Sequence, residues 1–469
     1  MVFSSLTFLC VFLPIVYILY WLIPSVKLQN VILIISSLLF YAYGEPKFIL
    51  LMLLSVLFNY GCAYLIGASG KHTKKFLLIL DIVVNLGFLG YFKYMSLLVE
   101  TVNKLSGHNF TVPDILLPMG ISFFTFQTMS YVIDVYRGIY PAEKNICKVL
   151  LYISFFPQLI AGPIVKYHDI APYLSERKKD VKQAAEGFRR FCCGLAKKVL
   201  ISNAMGTVVD EIFQMNQING ILAWIGAIGY MLQIYYDFSG YSDMAIGMGN
   251  MFGFSFAENF HYPYSADSIK EFWRRWHISL SSWFKEYLYI PLGGNRKGKF
   301  RTSINKIFVF FCTGLWHGAN WTFVVWGLYH GAFLMLETYI KIPKIKFLKI
   351  FNHLYTCLVV CIGFVIFRSD TLQQAWYMLK NMATGFYTTP VFTGEIQRLL
   401  SPQFLCMLLI GVILAMPVRE WITHLLEKKG NLLATTGEVF GYIGALFLLV
   451  LCLFNLAGNS YNPFIYFRF

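Results

Sequence analysis

The sequence predicts an all-α, polytopic integral membrane protein, and three observations point to this class. Hydrophobic residues make up 57% of the 469 residues, and charged residues only 13%, about half the share in ordinary soluble domains. Apolar runs of membrane-helix length recur from end to end. No polar linker separates these runs, so we expect a single transmembrane domain over residues 1–469. This composition excludes a soluble enzyme, a disordered chain and a secreted disulfide scaffold.

Some of the apolar stretches are too short to cross a bilayer alone. We therefore expect about 11 transmembrane helices, together with re-entrant and interfacial helices. The stretch 149–164 contains Pro157 and Pro163 and predicts a re-entrant hairpin, because broken backbone at membrane depth must be covered by protein or line a cavity. The candidate stretches are 5–22, 31–43, 48–66, 76–98, 116–135, 149–164, 221–236, 244–256, 307–316, 319–339, 351–367, 404–418 and 439–456.

The positive charge is concentrated in two places. The net charge is +15, and nine Lys/Arg lie within 166–198 and nine more within 270–306. Basic residues between apolar runs follow the positive-inside rule, so we expect no nucleic-acid partner. These segments are placed in the cytoplasm, where they suit membrane lipids or a phosphate-bearing substrate, and both termini are predicted outside. Within the first segment, 187–203 predicts a basic amphipathic helix on the cytoplasmic membrane surface.

His317 is the first candidate for a functional residue. It lies between two apolar segments, and an ionisable group at membrane depth is costly and by default functional. Gly314 and Gly318 flank it and predict room for a ligand. The alternative is a neutral histidine that is hydrogen-bonded to a helix carbonyl.

Two further clusters carry polar groups. His277 follows Trp273 and Trp276, a pattern typical of an interfacial helix, so this histidine is either functional or merely at the surface. The cluster 236–243 contains two carboxylates and several hydroxyls at the end of a predicted span. It could hold a substrate or orient a histidine, but helix capping is the favoured interpretation.

Other chemistries lack their motifs. The sequence has no paired zinc histidines, no phosphate-binding loop and no nucleophile elbow. Most of the ten cysteines lie inside apolar segments as small hydrophobic residues. We therefore expect no metal site and no cofactor.

Together the motifs resemble the membrane-bound O-acyltransferase family, in the branch that O-acetylates bacterial cell-envelope polysaccharides such as alginate. Forty residues separate the histidines of the two central motifs. The matching motifs are Glu-Phe-Trp-Arg-Arg-Trp-His at 271–277, Tyr-Ile-Pro-Leu-Gly-Gly-Asn at 289–295, Leu-Trp-His-Gly at 315–318, Phe-Pro-Gln-Leu-Ile-Ala-Gly-Pro at 156–163, and the cluster at 236–243.

The resemblance implies a shell of helices around a central catalytic tunnel, with His317 catalytic and His277 as its companion. It implies a bacterial inner-membrane enzyme that moves acetyl from a cytoplasmic thioester donor, with acetyl-CoA as co-substrate, towards an extracytoplasmic polysaccharide. An extracytoplasmic SGNH or acetylesterase-like transferase is the expected partner. Substrate binding is assigned to Asp237, Ser239, Asp243, Trp316, Asn320, Arg274 and Arg275. From charge alone, Lys197 and Lys198 are further candidates for the donor's phosphates.

The C-terminal stretch 462–469 is short and aromatic. It is either an interfacial anchor or a segment that brings Tyr466 into the outer funnel as an acyl acceptor.

The sequence leaves two alternatives to acetyl transfer open. One is a D-alanyl transferase for teichoic acid, and the other is a non-enzymatic transporter or flippase, although no internal repeat is visible.

Overall fold

The computed structural model describes residues 1–340, 345–428, 431–458 and 461–465. Throughout these ranges the secondary structure is helical and contains no β-strand, which confirms the all-α prediction. The chain divides into two compact units, Met1–Phe191 with Met244–Ala257, and Cys192–Asp243 with Glu258–Phe469. The single transmembrane domain expected over 1–469 stays a prediction.

The first unit is built mainly from the N-terminal helices. After a π-helical turn at Phe8–Phe12, these are α1 (Leu13–Leu22), α2 (Val26–Gly44), α3 (Ile49–Ala68), α4 (Lys71–Ser106), α5 (Ile121–Arg137), α6 (Ile146–Ser154), α7 (Phe156–Leu159), α8 (Tyr167–Ser175) and most of α9 (Val181–Ala196).

The second unit contains most of the remaining helices. It begins near a π-helical turn at Lys197–Ser202, and a second such turn lies at Lys285–Tyr289. Its helices are α10 (Asn203–Gln214), most of α11 (Gly220–Met251), α12 (Ile269–Arg275), α13 (Ile278–Phe284), α14 (Gly298–His317), α15 (Trp321–Tyr339), α16 (Lys349–Arg368), α17 (Leu372–Thr384), α18 (Pro390–Leu399), α19 (Pro402–Leu414), α20 (Val418–Lys428) and α21 (Asn431–Gly458).

Several helices are long and apolar enough to cross a membrane. Among the described residues there are six, or seven if α18 and α19, which meet at a bend of 66°, form one broken span. The chain is therefore a multi-pass membrane protein, and the number of about 11 transmembrane helices stays a prediction. The six are Val26–Gly44, Ile49–Ala68, Lys71–Ser106, Val181–Gln214, Lys349–Arg368 and Thr435–Gly458.

Two predicted elements are wrong, both around α9 to α11. The stretch 221–236 and most of the stretch 244–256 belong to one continuous helix, α11, which ends at Met251. Its glycines permit close packing rather than ending it, because a Cβ at Gly240 would lie 2.7 Å from the carbonyl oxygen of Gly194. The stretch 187–203 is not a surface helix. It lies within the helical run Val181–Gln214, and its apolar face is buried in protein rather than in the membrane interface.

The broken backbone predicted within 149–164 is present in the first unit. The chain leaves α6 at Phe155 and turns into the four-residue helix α7. Polar groups there have protein partners, since Phe156 N donates to Ser37 Oγ at 3.1 Å and Tyr152 Oη donates to the Val165 carbonyl at 2.8 Å. The break is buried in protein, as required for irregular backbone at membrane depth.

In the second unit, α14 and α15 form a tightly packed hairpin. A Cβ at Gly314 would collide with the carbonyl oxygen of Phe323, and a Cβ at Gly327 would collide with that of Phe310. Small residues let two membrane helices approach until their backbones touch. This approach places the end of α14, which carries His317, against the first turns of α15.

We expect Gly314→Ala to destabilise the protein, because the added methyl meets a backbone oxygen that cannot move independently of its helix. Overpacking of this kind costs about 1–3 kcal/mol. The control is Gly90→Ala in α4, where a Cβ would have nothing within 4 Å and the change should be neutral or stabilise by up to about 1 kcal/mol. Thermal melting in lipid nanodiscs measures both variants, and equal melting temperatures would contradict the tight hairpin.

Candidate active site

His277 lies at the junction between α12 and α13, where the backbone turns sharply. Its φ of 44° and ψ of 56° are left-handed, a conformation that costs a residue with a side chain roughly 1–2 kcal/mol. Two backbone hydrogen bonds brace the junction, from Ile278 N to the Asn259 carbonyl at 2.9 Å and from His261 N to the Arg275 carbonyl at 3.0 Å. Such strain persists only where the surroundings impose it, and it clusters at functional sites.

The side chain of Asn259 fixes the imidazole of His277. Asn259 Oδ1 accepts a hydrogen bond from Ser279 N at 3.2 Å, and Asn259 Nδ2 donates to Ser242 Oγ at 2.9 Å. These two bonds set the orientation of the amide, so its oxygen is the atom that faces His277 Nδ1 at 3.2 Å. Nδ1 must then carry the proton, which leaves Nε2 as the ring nitrogen with a lone pair.

The surroundings of His277 are apolar. Its ring lies 4.6 Å from that of Phe238 and 6.1 Å from that of Trp316, both edge-on. The residue is 1% exposed, and Nε2 has no hydrogen-bond partner within the described part of the chain. Burial lowers the pKa of His277 from 6.5 to about 3. The imidazole is therefore neutral at physiological pH, with an acceptor nitrogen in place.

His317 is the last residue of α14, and three aromatic rings enclose it. Its ring centroid lies 5.0 Å from Trp316, 5.1 Å from Trp326 and 5.1 Å from Phe367, each in an edge-to-face arrangement. The next residue, Gly318, is extended, so the helix ends at the histidine. This packing confines His317 within a largely apolar enclosure.

The two predicted histidines are brought together in the second unit, although forty residues separate them in sequence. Trp316 contacts both, with ring centroids 6.1 Å from His277 and 5.0 Å from His317. Trp316 is itself 4% exposed. The junction of α12 and α13 and the end of α14 thus present two imidazoles to the same indole.

The space expected beside His317 is already filled. A Cβ at Gly318 would collide with the ring of Phe323, and Gly314 faces the backbone of the same residue. The prediction that these two glycines leave room for a ligand is wrong, because they serve the close approach of α14 and α15 instead.

The cluster at 236–243 lies inside α11 rather than at a helix end, so the capping interpretation is wrong. Its carboxylates form ion pairs with the π-helical turn, Asp237 with Lys198 at 2.6 Å and Asp243 with Lys197 at 2.6 Å. Both lysines are therefore neutralised within the protein. Ser239 is 2% exposed, and its hydroxyl has no hydrogen-bond partner among the described residues.

The other predicted binding residues have different surroundings. Asn320 caps α15 by accepting a hydrogen bond from Thr322 N at 3.0 Å. Arg275 Nε pairs with Glu271 at 2.9 Å, while Arg274, at 3.4 Å from the same carboxylate, has a side chain that is 65% exposed. Of these three predicted residues, Arg274 is the one most accessible to a substrate.

The sequence did not predict a role for two residues of this region, Asn259 and His330. His330 is 1% exposed, and its ring lies 5.1 Å from Trp273 and 5.2 Å from Trp326. It lies in the middle of the apolar stretch 319–339, where an ionisable residue is a functional signal in its own right. Asn259 has no comparable signal, because its role depends entirely on folding.

Tyr466 lies outside the described residues, whereas the five residues 461–465 are described. Ile465 N donates to Asp237 Oδ2 at 2.8 Å, so the chain is buried in the second unit immediately before Tyr466.

Across the described ranges, no three His, Cys, Asp or Glu side chains lie close enough to hold a metal ion.

The depressed pKa of His277 predicts a loss of stability in acid. Between pH 6.5 and about 3 the unfolded chain binds a proton that the folded chain excludes, so the contribution of His277 is complete above pH 6.5 and is lost as the pH falls. His277→Gln should show a weaker fall in melting temperature than wild type between pH 7 and about 4. The control is His108→Gln at an exposed position, and equal pH dependence in all three proteins would contradict a buried neutral His277.

The chain is similar in sequence to several known proteins. Residues 141–368 match the model of MBOAT, the membrane-bound O-acyltransferase family. The chain is 39% identical to a probable alginate O-acetylase of Azotobacter vinelandii over the full length of both proteins. It is 35% identical to a peptidoglycan O-acetyltransferase of Helicobacter pylori, over 81% of this chain and 80% of that one. It is 27% identical to a teichoic acid D-alanyltransferase of Bacillus subtilis, over 55% and 70% respectively. The chain belongs to the membrane-bound O-acyltransferase family and is a multi-pass membrane O-acyltransferase.

Proposed function

We propose that this enzyme transfers acetyl from a cytoplasmic thioester, acetyl-CoA, for the O-acetylation of an extracytoplasmic polysaccharide. The observation that carries the proposal is the pair of buried histidines that both contact Trp316. The full-length similarity to an alginate O-acetylase supports acetyl as the group and a polysaccharide as its destination.

The proposed reaction needs a base and an enclosed space. His317 takes the proton from the acceptor hydroxyl while the oxygen attacks the thioester carbonyl. The carbon–oxygen bond forms, the carbon–sulfur bond breaks, and the thiolate recovers the proton from the imidazolium. The thioester is already activated, so deprotonation of the acceptor and alignment of the two partners supply most of the catalysis. The aromatic enclosure of His317 excludes water that would otherwise hydrolyse the donor.

In this proposal His277 accompanies His317 rather than replacing it. Its Nε2 lone pair accepts a hydrogen bond from the donor or the acceptor, because Nδ1 is held by Asn259. The guanidinium of Arg274 is exposed and suits a phosphate of the donor, with Arg275 beside it. Ser239, Asp243, Trp316 and Asn320 keep their assignment as residues around the substrates.

We further propose that Tyr466 is the first acceptor of the acetyl group. The support for this proposal is that the chain is anchored immediately before Tyr466, because Ile465 N donates to Asp237 Oδ2 at 2.8 Å inside the second unit. An extracytoplasmic SGNH or acetylesterase-like transferase then passes the acetyl from the phenolic ester to the polymer.

The proposed location is the bacterial inner membrane with both termini outside. The orientation rests on the positive-inside rule, which favours the cytoplasm for the basic residues of 166–198 and 270–306. Anionic membrane lipids are the expected surroundings of these basic residues.

A D-alanyl transfer is the second candidate for the acyl group. It is favoured by the similarity to a teichoic acid D-alanyltransferase, which covers 55% of this chain. The acetyl candidate has similarity over the whole chain, and so it is preferred. The transporter alternative is set aside, since the chain belongs to a family of acyltransferases.

His317→Ala should lower acetyl-CoA consumption by about 10²-fold or more, the range expected for loss of a general base. The measurement is release of free thiol by the protein in lipid nanodiscs together with its partner. The matched control is His108→Ala at an exposed position, which should keep wild-type turnover. Unchanged thiol release by the His317 variant would contradict its role.

Tyr466→Phe should abolish covalent acetyl on the C-terminal peptide and acetylation of the polymer, because the ring is kept while the hydroxyl is removed. Mass spectrometry of that peptide is the measurement, with wild type and His317→Ala alongside. An alanyl mass on the wild-type peptide would move the enzyme to D-alanyl transfer. Full polymer acetylation by Tyr466→Phe would contradict the acceptor role.

A further inference from the structure

The last described residues, 461–465, lie in the second unit, where 461–463 are half-buried and Phe464 and Ile465 are buried. We call these five residues the terminal segment. Tyr461 Oη donates to Asp210 Oδ2 at 2.7 Å, and Asn203 Nδ2 donates to the Tyr461 carbonyl at 3.2 Å. Ile465, at the other end, is 6% exposed. The segment therefore lies along α10, with side chains of that helix bonded to its backbone and to its first residue.

One ion pair holds the deeper end of the terminal segment. Lys198 Nζ lies 2.6 Å from Asp237 Oδ1, with the two side chains 3% and 1% exposed. Lys198 also donates to the Pro463 carbonyl, and Asp237 Oδ2 accepts from Ile465 N at 2.8 Å. We call Lys198 and Asp237 the clamp pair, since they bond the segment on both sides of Phe464.

The bonds of the clamp pair match what the buried segment needs. A buried carbonyl and a buried N–H each require a partner, and the pair supplies a donor to one and an acceptor to the other. A buried ion pair is itself favourable only when its remaining hydrogen-bonding capacity is used. The terminal segment and the clamp pair therefore each provide the hydrogen-bond partners that the other requires.

The local helix geometry is adapted to this arrangement. Lys198 belongs to the π-helical turn Lys197–Ser202, and such turns change the direction of side chains and are frequent at functional sites. One turn further on, Gly206 provides space for the segment, because a Cβ there would lie 2.7 Å from Tyr461 Oη. The π-helical turn and Gly206 therefore leave room on the helix surface for the terminal segment.

We propose that Lys198 and Asp237 are positioning residues that anchor the terminal segment and thereby set where the following residue, Tyr466, is presented. This rests on the proposed function, in which Tyr466 accepts the acyl group. In this proposal Lys198 and Asp237 bond each other and the segment instead of the substrates that the sequence assigned to them. The clamp pair acts through the backbone of the segment.

The competing explanation is that the ion pair only joins the π-helical turn to α11. Exchange of the two charges separates the explanations. Lys198→Asp combined with Asp237→Lys restores an ion pair between the helices. It also places a carboxylate against the Pro463 carbonyl and an ammonium against the Ile465 N–H, so acceptor meets acceptor and donor meets donor. If the ion pair only joins the two helices, the exchanged pair restores that connection and the segment stays in place. If the pair anchors the terminal segment, the exchanged pair does not hold it.

A second variant changes the segment and leaves the ion pair untouched. Ile465→Pro removes the backbone N–H that Asp237 accepts, and Ile465→Val keeps that N–H and serves as the matched control. This variant remains informative if the charge exchange fails to fold, since it alters no residue of the helices.

Hydrogen–deuterium exchange of the backbone amides of 461–464 reports whether the segment is anchored, independently of activity. We expect these amides to be protected in wild type and in Ile465→Val, and to exchange rapidly in the charge-exchanged and Ile465→Pro proteins. Acetylation of the C-terminal peptide should fall roughly tenfold or more in the variants whose segment is released, as expected for a misplaced reactive group. Melting temperature identifies any variant that has merely unfolded.

Protection of the segment from exchange in both folded variants, or full acetylation in a variant whose segment is released, would overturn the inference. Failure of the proposed function has a different signature, namely full polymer acetylation by Tyr466→Phe while the segment stays anchored. The two results are therefore distinguishable in the same set of proteins.

Discussion

The close contact between α14 and α15 is the constraint on which the active site depends. Helices in a membrane gain nothing from burying apolar side chains away from lipid, so they associate through backbone contact and polar bonds. Gly314 and Gly327 allow that contact, and it brings Trp326 to 5.1 Å from His317. A larger residue at either glycine would separate the hairpin and open the aromatic enclosure of the histidine.

The two imidazoles have different surroundings. His277 is oriented by a polar network through Asn259, which fixes its tautomer. His317 is enclosed by the rings of Trp316, Trp326 and Phe367. A ring that is hydrogen-bonded as His277 is keeps one orientation, which suits a residue that orients a substrate.

The sequence was sufficient for the class of fold and for the residues that lie in motifs. Apolar runs of membrane length indicated a polytopic helical protein, and His277 and His317 were visible because each stands out from its surroundings. The ion pairs of Asp237 and Asp243 were not predictable, because they join α11 to a turn about forty residues earlier. No pattern of neighbouring residues in the sequence indicates such an ion pair.

Two of the errors have one physical cause, which is that the sequence does not show whether the space beside a glycine is filled. Gly240 falls between the predicted spans 221–236 and 244–256, and Gly318 predicted space for a ligand, whereas both are sites where another chain segment packs against the glycine. In a soluble helix glycine is costly, but in membrane helices the contact it permits offsets that cost. Sequence alone cannot distinguish a glycine that leaves a cavity from one that a neighbour fills.

The proposed route through a tyrosine has a chemical rationale that links the terminal segment to the reaction. A phenol, with a pKa near 10, is closer in acidity to a thiol, near 8.5, than a sugar hydroxyl is. An acetyl group on Tyr466 would therefore keep much of the transfer potential of the thioester, and a second enzyme could still pass it to the polymer. A serine at that position would make an alkyl ester with little driving force left. A tyrosine that directly follows an anchored segment thus suits a carrier better than it suits a final acceptor.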